Sequence, residues 1–159
     1  MKIAWLVLGL AITTTPVRAE DMASAISQYR RAHGLSAVSA DAQLTGIAER
    51  QAQAMARSGV MGHGVAGPFA SRIAGAHANL AGENIAAGTK SWDDTFRIWK
   101  ASAGNNANLL LPGATSVGVA VAYSGETRNK AFWVMEIASR GEVRRLRKAP
   151  GAHRHVPHE

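Results

Sequence analysis

The sequence predicts a single domain of mixed helix and strand, and three observations carry that expectation. Apolar residues recur at helical steps of three and four through the first two thirds of the chain. The period switches to two after residue 115, and one face of that late strand carries only Gly and Ala. Small residues on one face, with neither face strongly polar, point to a sheet on which helices pack closely, on both sides.

In chain order, Met22, Ile26 and Tyr29 predict a helix over 22–33, with Gly34 just past its end where a left-handed cap is needed. Residues 35–39 read as a connection. Ser39 or Asp41 can then cap a second helix whose Leu44, Ile47, Ala48, Ala52, Met55 and Ala56 form one stripe, ending at Ser58-Gly59. Gly62, Gly64, Gly67 and Pro68 punctuate the next stretch and leave room for a short helix over 69–77, with Phe69, Ile73 and Ala76 on one side. Ser91-Trp92-Asp93-Asp94 is a helix start with an acid three residues after a Ser cap; Phe96 and Trp99 give the apolar face, and the helix is expected to end near Ala103. Along 115–124, Val117, Val119 and Val121 alternate with Gly118, Ala120 and Ala122. A second strand is expected over 131–137, joined to the first by a hairpin loop at 125–130.

The ends of the chain are different in kind. Lys2 precedes a ~10-residue apolar run that breaks at Thr13-Thr14-Thr15-Pro16, and Val17-Arg18-Ala19 places small residues where a signal peptidase reads, so residues 1–19 are expected to be a signal peptide cut after Ala19. The run falls short of the ~20 apolar residues a bilayer span needs. Residues 20–138 then form the domain and 139–159 a basic, His-containing tail without apolar period. A secreted or periplasmic product is the expectation. No cysteine is present, so no disulfide supports the fold, and a chain of this size buries about two thirds of its unfolded surface without one.

Of the formal charge of +7, Lys2 and Arg18 contribute two. The segment after Ala138 contributes four, from Arg140, Arg144, Arg145, Arg147, Lys148 and Arg154 against Glu142 and Glu159. The domain itself is close to neutral at +1, so the high pI gives no basic face for nucleic acid. No nucleic-acid partner is expected, and the chain is expected to be a monomer. Arg144, Arg145, Arg147 and Lys148 read either as a solubilising tail or as a contact for anionic envelope polymers or lipid. His153, His155 and His158 could catch a metal as a short tract, or simply be solvated.

Three stretches in one order carry a resemblance: Met55-Ala56-Arg57-Ser58-Gly59-Val60-Met61-Gly62-His63, then Ala81-Gly82-Glu83-Asn84-Ile85-Ala86, then Trp99-Lys100-Ala101-Ser102-Ala103-Gly104-Asn105-Asn106-Ala107-Asn108-Leu109-Leu110. With Tyr29-Arg30-Arg31-Ala32-His33-Gly34-Leu35 before them and the Val-rich and Trp-bearing strands after, residues 22–138 resemble the CAP superfamily of cysteine-rich secretory, antigen 5 and pathogenesis-related proteins, in its bacterial secreted form. The resemblance implies an α+β fold, a three-layer α-β-α sandwich with a small antiparallel sheet and a shallow cleft on one side.

It also implies a site. In that family the first motif's histidine and the glutamate of the Glu-Asn-Ile/Leu motif line the cleft with a second histidine, which bacterial members carry in a Ser-x-Gly-His segment. Carried over, these are His63 and Glu83, while the third position holds Asn105. His63 and Glu83 are candidate ligands for zinc or a similar divalent ion, but catalytic zinc takes three protein ligands and an asparagine amide replaces imidazole poorly, so the site is incomplete and any metal weakly held. As an acid–base pair they lack an activated nucleophile; Ser102 qualifies by proximity alone. Plainer readings stand beside these. Glu83 reads equally as a buried carboxylate that holds backbone together, His63 as an exposed loop residue, Asn105, Asn106 and Asn108 as caps of a helix end, and Trp99 and Trp133 as core.

The expected function is therefore an exported, non-catalytic module that binds an apolar small molecule such as a lipid or sterol, or that contacts the envelope, with His63, Glu83, Ser102 and Asn105 as ligand-binding candidates. The alternative is a metal-dependent hydrolase or protease with a degenerate site.

Overall fold

The computed structural model describes residues 18–125 and 130–140. The expected signal peptide (but for Arg18 and Ala19), most of the expected hairpin loop and the tail from 141 onward lie outside these residues. Among the described residues no helix is long and apolar enough to cross a membrane.

Among the described residues the elements follow in the order α1 (Ala19–Ala32), β1 (Ser39–Ala40), α2 (Ala42–Ser58), α3 (Phe69–Ile73) running into a 3-10 turn (Ala74–Ala76), β2 (Ala78–Ala87), α4 (Trp92–Ala101), α5 (Ala103–Leu109), β3 (Ser116–Tyr123) and β4 (Ala131–Arg140). The strands form one sheet in the order β1-β3-β4-β2, antiparallel except where β1 lies parallel to β3. The three layers implied by the resemblance are present. Val117, Val119, Trp133, Met135 and Ile137 pack with α1, α4 and α5 on one face; Ala120, Phe132 and Val134 pack with α2 on the other.

The local signals act as their chemistry predicts. The α1 helix ends in a Schellman pair, Gly34 N–H to Arg31 O and Leu35 N–H to Arg30 O, with Gly34 at φ +74. Asp41, rather than Ser39, caps α2 by accepting from the N–H groups of Gln43 and Leu44; Ser39 belongs to β1. Ser91 caps α4 through Asp94 N–H. The small face of β3 is explained by one contact: a Cβ on Gly118 would lie 2.1 Å from Thr45 N and 2.3 Å from Leu44 C. The first turn of α2 therefore rests directly on the sheet backbone.

One element is unforeseen and three expectations are corrected. The stretch 78–87 is a strand that periodicity does not reveal, because Ala, Asn, Gly and Glu dominate it and it is held extended by its ladder to β4. The connection at 35–39 ends in the short β1. The helix of Trp99 stops at Ala101, two residues early, and extended Ser102 separates it from α5, so Asn105, Asn106 and Asn108 lie within a helix and do not cap one. The last strand, expected over 131–137, runs to Arg140, with Ser139 opposite Leu80 and Arg140 opposite Ala78.

Candidate functional site

The site is built from the loop after α2, from α3 and from the neighbouring strands β2 and β4. The loop is tied to α2 by Gln51, fully buried, whose Nε2 donates to Gly62 O (2.6 Å) and whose Oε1 accepts from Ala66 N–H (3.0 Å). The side chain of Arg72, on α3, then passes beneath the loop: its Nε donates to Gly67 O and one Nη2 bond goes to His63 O. These contacts set the backbone that carries His63.

His63 Nδ1 lies 2.7 Å from Glu83 Oε1. A carboxylate only accepts, so Nδ1 carries a proton and donates it to Glu83, which leaves Nε2 as the ring's other nitrogen. The imidazole is 61% exposed, whereas the Glu83 side chain is 2% exposed. The other oxygen of Glu83 is also engaged, accepting from Arg72 Nη2 at 2.6 Å. Arg72 Nη1 reaches Glu136 Oε1 at 2.9 Å, so one guanidinium bridges two carboxyls that sit opposite each other on β2 and β4.

Two carboxylates side by side with one arginine leave a buried excess of negative charge. The structure relieves it with a proton. Burial first, then the hydrogen bond and charge of Glu83, against the pull of Arg72, push Glu136 up to about 9. Its Oε2 is buried and accepts from no donor among the described residues.

Asn84 follows Glu83 and points to the opposite face of the sheet. There it is fully buried, with its Nδ2 donating to Asn105 O and its Oδ1 accepting from Asn108 Nδ2, which also reaches Glu83 O. A Cβ on Gly82 would lie 2.6 Å from Asn108 Oδ1, so the glycine makes room for that amide. Trp99 Nε1 donates to Ile85 O, and together with Asn108 it closes off the outward carbonyls of edge strand β2. The Glu-Asn-Ile motif thus serves two faces at once: Glu83 holds the His63 loop and Asn84 holds α5.

His63 and Glu83 are brought together. Ser102 is exposed at the α4–α5 junction, and no hydrogen bond joins Ser102 or Asn105 to either of them. Trp99 and Trp133 are core, in an aromatic group with Trp92 and Phe96. The donor set does not fit zinc: both Glu83 oxygens are occupied, the cationic place beside them is filled by Arg72, and position 105 offers an amide. Among the described residues no group of three or more His, Cys, Asp or Glu is placed to hold a metal. Arg72, Glu136 and Gln51 were not singled out by sequence. The one acid in the apolar run Phe132-Trp133-Val134-Met135-Glu136-Ile137 was the available signal, since a carboxyl there must be buried and must have a partner.

The layers and the strand order define a three-layer α-β-α sandwich. Residues 23–137 match the cysteine-rich secretory protein family, CAP, and the chain belongs to that family. No curated protein matches the sequence. Among solved structures, an outer surface protein of Borrelia burgdorferi is similar with a TM-score of 0.67 at 19% identity, covering 76% of this chain and 90% of its own. An extracellular protein containing an SCP domain from Bacillus anthracis has a TM-score of 0.66 at 22% identity, over 80% of this chain and 45% of that one. A cysteine-rich secretory protein of Staphylococcus aureus has a TM-score of 0.61 at 14% identity, over 77% and 38%. The chain thus spans less than half of the latter two proteins, and at these identities the likeness is one of fold.

Proposed function

We propose that this protein is an exported binding module whose His63–Glu83 site shapes a surface for an apolar or amphipathic small molecule and performs no catalysis. One observation carries the reading: both oxygens of Glu83 are committed, to His63 and to Arg72, so the carboxylate acts as a strut that fixes a loop. The loop so fixed displays Val60 (57% exposed) and Met61 (52% exposed) to solvent, an apolar surface that folding alone does not require. Export is supported by the apolar N-terminal run after Lys2 and by neighbours described as outer-surface, extracellular or secretory. The basic residues Arg144, Arg145, Arg147 and Lys148 would add a salt-sensitive attraction to anionic envelope material.

The test is native mass spectrometry of the protein purified from a bacterial envelope fraction without chelator, beside a His63→Ala, Glu83→Ala double variant. A lipid-sized adduct confined to the unaltered protein is expected. No adduct on either, or one equally present on both, overturns the reading. The alternative, a hydrolase, is favoured by one observation, an exposed imidazole oriented by a buried carboxylate. It predicts turnover that disappears in His63→Ala.

A further inference from the structure

The outer face of α2 carries Arg50, Gln53 and Arg57, spaced at three and four residues and all exposed. The two arginines start about 10 Å apart along the helix, at about 1.5 Å per residue. Beside this stripe, between α2 and the loop after it, runs a groove of about 350 Å³ with Ala54, Val65 and Ala66 as its apolar surface and Arg72 at one wall. That volume lies in the range of small-molecule sites.

The charge in the groove is local and unbalanced. Three guanidiniums line it and no acid does. The charge of Arg72 is met by Glu83 and Glu136, but neither Arg50 nor Arg57 has an ion pair or hydrogen bond with another described residue. Glu49, the acid nearest in sequence, lines a separate depression with Glu20 and Asp41. Since the domain carries only +1, a pair of uncompensated arginines facing one concave surface is not the consequence of a generally basic protein. The far wall is also preformed. Gln51 pins Gly62 and Ala66 to α2 from within, so a ligand entering here need not order the loop that contacts it.

We infer that this groove binds a small amphipathic organic anion, its carboxylate or phosphate head held by Arg50 and Arg57 and its apolar body lying on Ala54, Val65 and Ala66. The inference rests on the binding function proposed above; it names the charge of the ligand and seats it on the same loop, at Val65 and Ala66. Guanidinium pairs bind planar carboxylate and tetrahedral phosphate oxygens with two parallel N–H bonds, which is why the two head groups are treated as one chemistry.

The test uses the full chain and four probes below their micelle concentrations: laurate, dodecyl phosphate, neutral dodecyl maltoside and inorganic phosphate. Calorimetric titration should show the two anionic amphiphiles binding at least ten times more tightly than the maltoside and than phosphate alone. Which of the two is preferred identifies the head group. An Arg50→Gln, Arg57→Gln double variant, altered only at exposed positions, should lose at least tenfold in affinity for them, while Arg144→Gln, Arg145→Gln, Arg147→Gln should not. Bound laurate or dodecyl phosphate should also protect Arg50 and Arg57 from phenylglyoxal, read by peptide mass. Equal binding of the maltoside, an unaffected double variant or protection elsewhere overturns the anionic groove and leaves the binding function standing. Binding of no amphiphile overturns both.

Discussion

Glu136 is the residue on which the energetics of the site turn. Held at about 9, it keeps a proton that the unfolded chain gives up near its ordinary 4.5. Between those values the folded state binds more protons than the unfolded one, so stability falls as pH rises from about 4.5 to 9. Urea unfolding at pH 5, 7 and 9 should show this loss, at no more than about 1.4 kcal/mol per pH unit. Glu136→Gln supplies a permanent donor and acceptor in the same space and should flatten the profile, becoming more stable than the native protein at pH 9. A native profile that rises over the window would exclude the buried proton. Arg30 poses the opposite problem, a cation buried without a carboxylate. It donates to the carbonyls of Ser36, Leu109, Leu111 and Ala114, and burial lowers its pKa. Arg30→Leu strands the carbonyls of Ser36, Leu109 and Ala114, while Leu111 O keeps Ala114 N–H, and should cost about 3 kcal/mol or more in urea unfolding. A loss under ~1 kcal/mol would mean that water takes over those carbonyls.

At the level of elements, the contact of α2 with β3 depends on the absence of a side chain at 118. Gly118→Ala places a methyl within 2.1 Å of Thr45 N, which belongs to the backbone of α2 and cannot swing away. The helix must lift from the sheet, at a cost of about 2–3 kcal/mol. Asp41→Ala removes the two capping bonds at the same helix end and should cost about 1 kcal/mol. Calorimetric midpoints should therefore rank Gly118→Ala well below Asp41→Ala, and the reverse order would show that the helix can shift freely. The elements also differ in how much of themselves they announce. The α1, α2 and α4 helices carry their own caps and apolar stripes within one segment. The β2 strand does not, since Ala78, Asn79, Gly82 and Asn84 oppose strand formation in isolation and only pairing along β4 holds them extended.

For the whole molecule, the last described strand is held by the ladder between β2 and β4. Composition places the end of the domain at 138, yet Ser139 and Arg140 still pair with Leu80 and Ala78, and Ser139 Oγ accepts from Leu80 N–H. A chain ending at Ala138 should be less stable than one ending at Arg140 by about 1 kcal/mol, the worth of a bond or two at a strand end. Equal unfolding midpoints would place the boundary where composition puts it. With no cysteine to staple it, the domain depends on two apolar layers and a few buried polar struts, so such small differences are a measurable share of its stability.

The sequence by itself determined the α1, α2 and α4 helices, the Gly34 and Ser91 caps, the alternating faces of β3 with the close helix packing its small residues imply, and the adjacency of His63 and Glu83 through the family resemblance. These are local patterns, or motifs whose order along the chain is their information. Only the tertiary structure decided that Glu83 faces Glu136, that Arg72 bridges them, that Gln51 pins the His63 loop, and that Arg50 and Arg57 face one groove. Each of those joins segments that nothing local relates. Their partners are chosen by strand register and by the need to pair every buried charge and amide, which becomes defined only once the layers close.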